Sequence, residues 1–434
     1  MKAFFLRTLF WVTDFFKGSP IRKEYRQIRA VMNGERETNE ELDNLLKYAT
    51  LNCAYYSHLK GKKIQDFPVI NKQIIRHNID SFKIPEEKNP WQKKDSAYHI
   101  QKTSGSTGAP FAIPQDTRKR AHRLAELKYF GEIIGFRSHD CLVQLRIWTR
   151  WHKKNSWQAF KENIIPYDCS NLSDQHLEAL CNIVHQKKAL CMRAYASTFA
   201  LLGRYLLRQN KSLPSVKTMI AGSEALLDST RHNIRKACPN CTLISQYANE
   251  EAGILAQEEP GVEGIFQLNH AGYFFESIKL DSDNPAEEGE IGRLVITDLF
   301  NYACPLIRYD TGDMCRIKTD YKTGRKYIDK LYGRRLDMVF NTIGEPIFPM
   351  YFARILKNFD SIEQWQFIQN SKTDYMLKLT IDNDLNTFKA SENEIRLQII
   401  SILGEDANLE LVYVDEIPVL NSGKRKSVVN NCNL

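Results

Sequence analysis

A loop rich in hydroxyl and glycine residues is the first feature of the sequence that can bind a charged ligand. The stretch QKTSGSTGAPFAI, residues 101 to 113, interleaves serines and threonines with glycines. Backbone N–H groups and hydroxyls in such a loop bind phosphate. The loop lacks the Gly-Lys-Ser/Thr ending of a Walker P-loop, and Phe111 stands where a lysine would be expected. The positive charge for a bound polyphosphate must therefore come from elsewhere, and a plain Gly/Ser-rich surface turn is the alternative interpretation.

Four further polar motifs follow this loop along the chain. In order they are SQYANEEAG at 245–253, RYDTGD at 308–313, YGRRLDMV at 332–339 and NSGKRKS at 421–427. The first places Tyr247 beside the paired carboxylates Glu250 and Glu251, and the second places Asp310 and Asp313 around a Thr-Gly turn. Each motif alone reads as a polar turn, and the last alone reads as a solvated basic tail. Their occurrence together, in this order, is much harder to explain by chance.

Together these motifs resemble the adenylate-forming superfamily, the acyl-CoA synthetases and their relatives. The chain length and the phrase PLIRYDTGD are similar to its compact phenylacetate–CoA ligase branch. The segment DFPVINKQIIRHN, residues 66–78, is similar to the same branch, and especially to its CapK-type members in capsular polysaccharide biosynthesis. The resemblance runs from about residue 45 to about residue 428.

The resemblance implies an ATP-dependent ligase. Such an enzyme joins a small carboxylic acid to the α-phosphate of ATP, releases pyrophosphate, and transfers the acyl group to an acceptor. Coenzyme A is the acceptor typical of the branch, and a sugar amine or a carrier protein are alternatives. ATP and Mg²⁺ are the implied cofactors. A second hypothesis is a non-catalytic homologue that binds nucleotide within a polysaccharide assembly pathway.

The resemblance also assigns roles to individual residues. Glu251 matches the magnesium carboxylate, Lys424 matches the catalytic lysine, and Asp313 and Arg334 match the residues near the ribose. The remaining nucleotide-binding positions are Thr103, Ser104, Gly105, Ser106, Thr107 and Gly108 at the phosphates, and Gly222, Ser223 and Tyr247 at the adenine. Lys424 would supply the positive charge that the loop lacks, because a lysine is a compact charge on a long stem.

The sequence departs from the pattern of the superfamily at three positions. Ala248 stands where a glycine lets the chain lie close to the nucleotide, and Glu250 stands where a hydroxyl touches phosphate. These two changes indicate either altered nucleotide geometry or weakened activity. Leu336 falls at the hinge position, where many relatives carry aspartate or lysine. The identity of the acid is left open, with residues 195 to 198 as candidate walls of its pocket.

The elements that must position these motifs follow from the hydrophobic pattern. Between 117 and 240, helical runs alternate with short apolar stretches such as DCLVQLRI, KALCMRAY and VKTMIAG, which predicts an α/β fold. From 264 to 345 the pattern is that of strands, and after about 333 it becomes α+β. We therefore expect a large N-terminal α/β domain at 1–333 with a β-rich subdomain, opening with a helical region at 1–85. A small, mobile α+β domain at 334–434 would carry the lysine.

Composition narrows the class of protein. The chain has 434 residues, 43% of them apolar, and a formal charge of +8 without a dense basic block. This is typical of an ordinary globular protein and argues against a nucleic-acid partner. The ten cysteines are scattered, and only Cys238 and Cys241 lie close together. Buried or free thiols in a reducing cytoplasm are favoured over a zinc site, since no second pair follows.

The N-terminal segment MKAFFLRTLFWVTDFFKGSP is the one hint of a membrane. Arg7, Asp14 and Lys17 interrupt its apolar residues, and it is too short to span a bilayer. The favoured interpretation is a helix that packs on the body of a cytoplasmic protein. The alternative is an interfacial anchor that brings the protein to the inner face of the membrane.

Overall fold

The computed structural model describes most of the chain and divides it into two compact units. The described residues are 1–102, 111–148, 155–170, 172–334, 338–347, 349–356, 358–359, 361–381, 385–418 and 426–432. The larger unit comprises 1–311 and 315–331, and the smaller unit comprises 312–314 and 332–434.

The larger unit contains the following helices and strands. Its helices are α1 (Lys2–Phe16), α2 (Pro20–Met32), α3 (Asn39–Asn52), α4 (Lys72–His77), α5 (Ile79–Phe82), α6 (Thr117–Glu132), α7 (Ser156–Glu162), α8 (Asp174–Lys187), α9 (Ala196–Arg208) and α10 (Asp228–Ala237). Short 3₁₀ turns occupy Ala54–Leu59, Ile64–Asp66 and Glu86–Lys88. Its strands, some of which run on into the smaller unit, are β1 (His99–Lys102), β2 (Ala112–Gln115), β3 (Leu142–Arg146), β4 (Ile164–Asp168), β5 (Cys191–Tyr195), β6 (Thr218–Gly222), β7 (Thr242–Asn249), β8 (Gly253–Glu259), β9 (Val262–Leu268), β10 (Tyr273–Ile278), β11 (Ile291–Asp298), β12 (Tyr309–Thr319) and β13 (Lys326–Arg334).

One large sheet organises this unit. Its strand order is β10-β11-β12-β13-β9-β8-β7-β6-β5-β3-β4. The half from β4 to β7 is parallel, and helices connect its strands. From β7 onward the pairs β7–β8, β8–β9, β9–β13 and β10–β11 are antiparallel. The predicted α/β fold with a β-rich part is confirmed.

Apolar residues at alternate positions of the parallel strands build the core on one side of the sheet. Met192 and Ala194 of β5 pack with Phe199 and Leu202 of α9, and all four are buried. The opposite side of the same strands packs toward the end of α6, where Cys191 lies in a smaller apolar cluster. The central parallel strands are therefore covered on both faces, as helical crossovers require.

A buried ionic cluster fixes α6 in place. His122 of α6 is completely buried, with Nδ1 2.8 Å from Glu24 Oε2 and Nε2 3.5 Å from Glu126 Oε1. Burial alone would lower the pKa of His122, but Glu126 and Glu24 outweigh it and the pKa is raised. Arg118 adds a second bond to Glu24 at 3.0 Å. The cluster joins α2 to the middle of α6.

Helix α1 has two different faces. On the inner face Arg7 donates to Ser138 O at 2.8 Å and to Asp140 Oδ1 at 2.6 Å, so this face packs on the larger unit. On the outer face the phenylalanines at 4, 5, 15 and 16 keep 72%, 65%, 65% and 81% of their surface exposed. In the part of the chain that the structure describes, no helix combines the length and the apolar character needed to cross a bilayer.

The smaller unit is an α+β structure with its own core. It contains β14 (Val339–Phe340), β15 (Pro346–Ile347), α11 (Pro349–Leu356), β16 (Ile362–Gln369), β17 (Asp374–Ile381), α12 (Leu385–Leu403), β18 (Asn408–Tyr413) and β19 (Val428–Asn430). Four of these strands form a sheet in the order β18-β17-β16-β19. Phe352 of α11 stacks on Phe367 of β16 with ring centroids 3.9 Å apart, at the centre of that core.

Candidate active site

The predicted phosphate-binding loop joins the two strands of an antiparallel hairpin, β1 and β2. The six loop positions from Thr103 to Gly108 lie outside the described residues, so their phosphate contacts stay a prediction. The base of the hairpin is tied to the paired carboxylates. Gln101 Nε2 donates to Glu250 Oε2 at 2.9 Å, and Gln115 Nε2 donates to the backbone oxygen of Glu251 at 3.1 Å. The flanks of the loop therefore lie beside the predicted magnesium carboxylate.

Glu251 is a buried, ionised carboxylate. Its side chain is 2% exposed, and Oε1 accepts from the Tyr309 hydroxyl at 2.7 Å and from Lys72 Nζ at 2.9 Å. Burial alone would raise the pKa of Glu251, but the charge of Lys72 and the two hydrogen bonds outweigh it and lower the pKa. A full negative charge is thus held at the end of β7 at neutral pH.

Lys72 reaches this carboxylate because a distant part of the chain docks beside it. Ile70 accepts from the backbone N–H of Asp310 at 2.8 Å and donates to Arg308 O at 3.0 Å. These two bonds pair Ile70 with Tyr309 in a parallel bridge at the start of β12. Lys72, the first residue of α4, is thereby held next to Glu251.

Lys72 also places a positive charge close to Phe111, the first described residue after the hydroxyl-rich loop. Its ammonium lies 5.9 Å from the centre of the Phe111 ring, at the residue where a phosphate loop would carry a lysine. Lys72 is 38% exposed, so it faces open space as well as the carboxylate. Lys72 lies within the segment 66–78, and its role could not be predicted from the sequence because nothing local connects it to Glu251.

Three arginines lie near Glu250, the negative charge that departs from the pattern of the superfamily. Arg123 Nη1 of α6 donates to Glu250 O at 2.7 Å, and Arg146 Nη2 of β3 lies 3.8 Å from Glu250 Oε1. Arg120 Nη1, one turn earlier on α6, donates to Gln101 Oε1 at 3.3 Å. Burial and the nearby Arg123 lower the pKa of Arg120. The region around Glu250 therefore carries more positive than negative charge.

The predicted adenine positions lie at the carboxyl ends of neighbouring strands. Gly222 ends β6 and pairs with Gln246, and a methyl group on it would meet Gln246 O at an ordinary 3.6 Å. Ser223 has φ +69°, in the left-handed region that non-glycine residues seldom occupy. A register shift separates Tyr247 from Ala248, which is exposed. Ala248 thus lies in a bulge, where its methyl group points toward open space rather than into a packed core.

The remaining predicted residues are placed only in part. Asp313 is half-buried on β12, within the segment that belongs to the smaller unit. Asp310 of the same motif bonds Arg293 Nη1 at 2.8 Å, which gives it a structural partner. Arg334 is the last residue of β13, and its side chain is not among the described parts of the structure. Leu336 and Lys424 lie outside the described residues. The roles predicted for these residues stay predictions.

Two comparisons of sequence identify relatives of the chain. Residues 339–431 match the family described as the CapK C-terminal domain. Protein CapK of Staphylococcus aureus is 25% identical over 436 residues, covering 94% of this chain and 92% of that protein. The resemblance to CapK-type proteins is thereby confirmed.

Solved structures share the fold. A 2-hydroxyisobutyryl-CoA ligase in the postadenylation state, in complex with 2-HIB-AMP, aligns with a TM-score of 0.71 at 15% identity, covering 90% of this chain and 88% of that one. The anthranilate CoA ligase AuaEII with anthranoyl-AMP gives 0.55 at 15% identity over 75% and 65%. MatB of Rhodopseudomonas palustris with bound ATP gives 0.55 at 13% identity over 75% and 66%. At these identities the likeness establishes the fold of the adenylate-forming CoA ligases.

Proposed function

We propose that this chain, which is similar to CapK-type proteins and has the fold of the adenylate-forming CoA ligases, activates a carboxylic acid with ATP. The acid attacks the α-phosphate, pyrophosphate leaves, and the acyl group then passes from the acyl-adenylate to a thiol or amine acceptor. The observation that carries this proposal is the ionised, buried Glu251 beside Lys72 at the base of the Ser/Thr/Gly hairpin.

The charges of the site suit this reaction. Attack on the α-phosphate spreads negative charge over the attacking, bridging and equatorial oxygens, and fixed cations stabilise it. Lys72 and the arginines at 120, 123 and 146 hold positive charge around the flanks of the loop. In the proposal the loop hydroxyls bind the β- and γ-phosphates, and Lys424 bridges the α-phosphate and the acid.

Glu251 fits a magnesium ion that arrives with the nucleotide. Mg²⁺ is commonly held by one or two carboxylates together with substrate phosphates, rather than by a full set of protein ligands. Bound there, the ion would neutralise phosphate charge. Lys72 would then exchange its contact with the carboxylate for one with a phosphate oxygen.

For the acceptor we propose coenzyme A, with a sugar amine or a carrier protein as alternatives. A solved relative of the same fold, the 2-hydroxyisobutyryl-CoA ligase, has been seen with 2-HIB-AMP and CoA together. The likeness to protein CapK supports a role in the synthesis of a surface polysaccharide. The competing function is that of a nucleotide-binding homologue without turnover, which Ala248 and Glu250 favour. The hydrogen bond from Gln101 and the neighbouring Arg146 offset the charge of Glu250, which weakens that alternative.

The outer face of α1 supports a location at a membrane surface. At 100° per residue, its exposed apolar side chains fall within about 140° of the helix circumference. Exposed Trp157 and Phe160 of α7 extend the patch, since Lys2 Nζ lies 4.5 Å from the Phe160 ring. Lys161 lies over Trp157 at 3.4 Å. Aromatic side chains flanked by lysines are typical of helices that lie in the lipid interface. We propose that this face rests on the cytoplasmic leaflet.

Pyrophosphate exchange tests the enzymatic proposal. Wild-type protein is mixed with ATP, Mg²⁺, labelled pyrophosphate and a panel of aryl, fatty, amino and dicarboxylic acids, and label entering ATP is counted. We expect exchange that depends on one class of acid. Lys72→Met should lower it by about a hundredfold. Lys83→Met, which removes an exposed lysine paired with Glu86, should leave it unchanged. ATP binding without exchange for any acid would favour the non-catalytic alternative.

A further inference from the structure

An arginine in the middle of the parallel sheet has no partner among the described residues. Arg193 lies on β5, between β3 and β6, directly opposite Gln144 and Ile220. Its Nε is completely buried and makes no hydrogen bond there. Burial lowers the pKa of Arg193, and the residue keeps some accessible surface.

The other deeply buried arginines of the larger unit behave differently. Arg231 bonds Glu258 at 2.5 Å, Arg293 bonds Asp310 at 2.8 Å, and Arg308 bonds Glu276 at 3.1 Å. A buried cation without a counter-ion is strongly unfavourable, because it loses its hydration without an ionic partner in return. Because the three other buried arginines are paired and Arg193 has no partner in the described part of the chain, we infer that the missing partner is a ligand.

Arg193 belongs to a polar row on the face of the sheet that α6 covers. Side chains alternate along a strand, so Gln144 and Arg146 of β3 point to the same side as Arg193. The intervening residues Val143 and Met192 belong to the apolar core on the other side. Arg193 and Gln144 lie at the middle of their five-residue strands, and Arg146 lies at the carboxyl end of β3, the edge outside which open α/β sheets bind their ligands.

We propose that the acid substrate carries a second anionic group and that Arg193 binds it. The inference rests on the proposed function, since it specifies the substrate of that same site. A guanidinium pairs with carboxylate, sulfonate or phosphonate oxygens through a planar fork of donors. Gln144 lies opposite to donate a further hydrogen bond. The substrate class is therefore a dianionic acid, with one carboxylate activated and the other anion held.

Matched pairs of acids test the inference. Butyrate is compared with succinate and valerate with glutarate, and phosphonoacetate and sulfoacetate show which anion is accepted. In pyrophosphate exchange, wild-type protein should prefer the dianion by about tenfold to a hundredfold in kcat/KM, the range of a charge-assisted pair. Arg193→Met should bring this ratio close to one, and Arg193→Lys should retain part of it. Arg208→Met, at an exposed arginine of α9, is the matched control.

Stability separates a binding role from a structural one. If Arg193 binds a ligand, Arg193→Met removes an unpaired buried charge, and the Tm without ligand should stay equal or rise. A clear fall in Tm would show a structural role and overturn the inference. The inference would also be overturned if kcat/KM were the same for monoanionic and dianionic acids in both the wild type and Arg193→Met. That result would leave the ligase proposal intact.

If no acid supports pyrophosphate exchange, the ligase proposal fails. The change in Tm on adding a dianion then tests separately whether Arg193 binds an anion. Dianions that raise the Tm of wild type and Arg208→Met, but not that of Arg193→Met, would support the anion site. The absence of any such shift would overturn it.

Discussion

Replacing Lys72 by methionine should destabilise the larger unit by about 2 kcal/mol at neutral pH. The Nζ–Oε1 distance to Glu251 is 2.9 Å, and at an effective dielectric constant of 20 this corresponds to an attraction of about 6 kcal/mol. Removing one partner of a fully buried pair costs about 3–5 kcal/mol, since the other charge stays buried. Lys72 is 38% exposed and therefore screened by water, which reduces the expected cost to about 2 kcal/mol.

The pH dependence of this loss has a defined sign. In the wild type the pKa of Glu251 is lowered, so its contribution is present above the unfolded-state pKa of about 4.3 and is lost as pH falls through the folded value. In Lys72→Met the burial of Glu251 dominates and raises its pKa. The folded variant then binds a proton that the unfolded chain releases, so its stability increases as pH falls from 7 toward 5. The difference between the two proteins should shrink over that interval.

Urea unfolding followed by circular dichroism at pH 7 and pH 5 measures this difference. Glu251→Gln in the Lys72→Met background removes the unpaired charge and keeps an acceptor for Tyr309, so it should recover most of the loss. The reasoning would be refuted if Lys72→Met matched the wild type at pH 7, or if its deficit were the same at both pH values.

The remaining predictions concern the nucleotide, the linker and the membrane. Lys424→Ala should lower pyrophosphate exchange by about a hundredfold or more while ATP still binds; near-wild-type exchange would remove the residue from the reaction. Asp313→Ala should weaken ATP binding, measured by calorimetry, and an unchanged affinity would exclude it from the ribose site. Protease cleavage between residues 334 and 337 should slow when ATP is present, and equal rates would argue against a ligand-linked hinge. Phe4→Ser with Phe16→Ser should abolish sedimentation with anionic vesicles without loss of activity; if wild type never sediments, α1 has no membrane role.

Much of the fold could be predicted from the sequence because its signals are local. The stretches DCLVQLRI, KALCMRAY and VKTMIAG became β3, β5 and β6, and the later apolar stretches became β10, β11 and part of β12. The helical region predicted at 1–85 contains helices α1 to α5. Periodicity and turn residues are enough for such assignments. The order of the strands in the large sheet depends on pairing between distant parts of the chain, so it could not be predicted from periodicity and turn residues.

The chemistry of the site was only partly accessible for the same reason. Glu251 could be identified because its motif is contiguous. Lys72 could not, since its partner is set by the pairing of Ile70 with Tyr309 far along the chain. Arg193 could not be identified for a different reason. KALCMRAY has the pattern of a buried strand, and that pattern does not show that Arg231, Arg293 and Arg308 have carboxylate partners whereas Arg193 has none among the described residues.

The pairing of Ile70 with Tyr309 also has a consequence for synthesis of the chain. Roughly 240 residues separate Ile70 from Tyr309. At about 5–20 residues per second, the ribosome therefore synthesises Tyr309 about 10–50 s after Ile70. During that interval the apolar side chains of Ile70, Ile75 and Phe82, all completely buried in the finished fold, lack the part of the core that they pack against. Nascent chains halted before residue 309 should therefore bind chaperones through this region, and chains released past it should not.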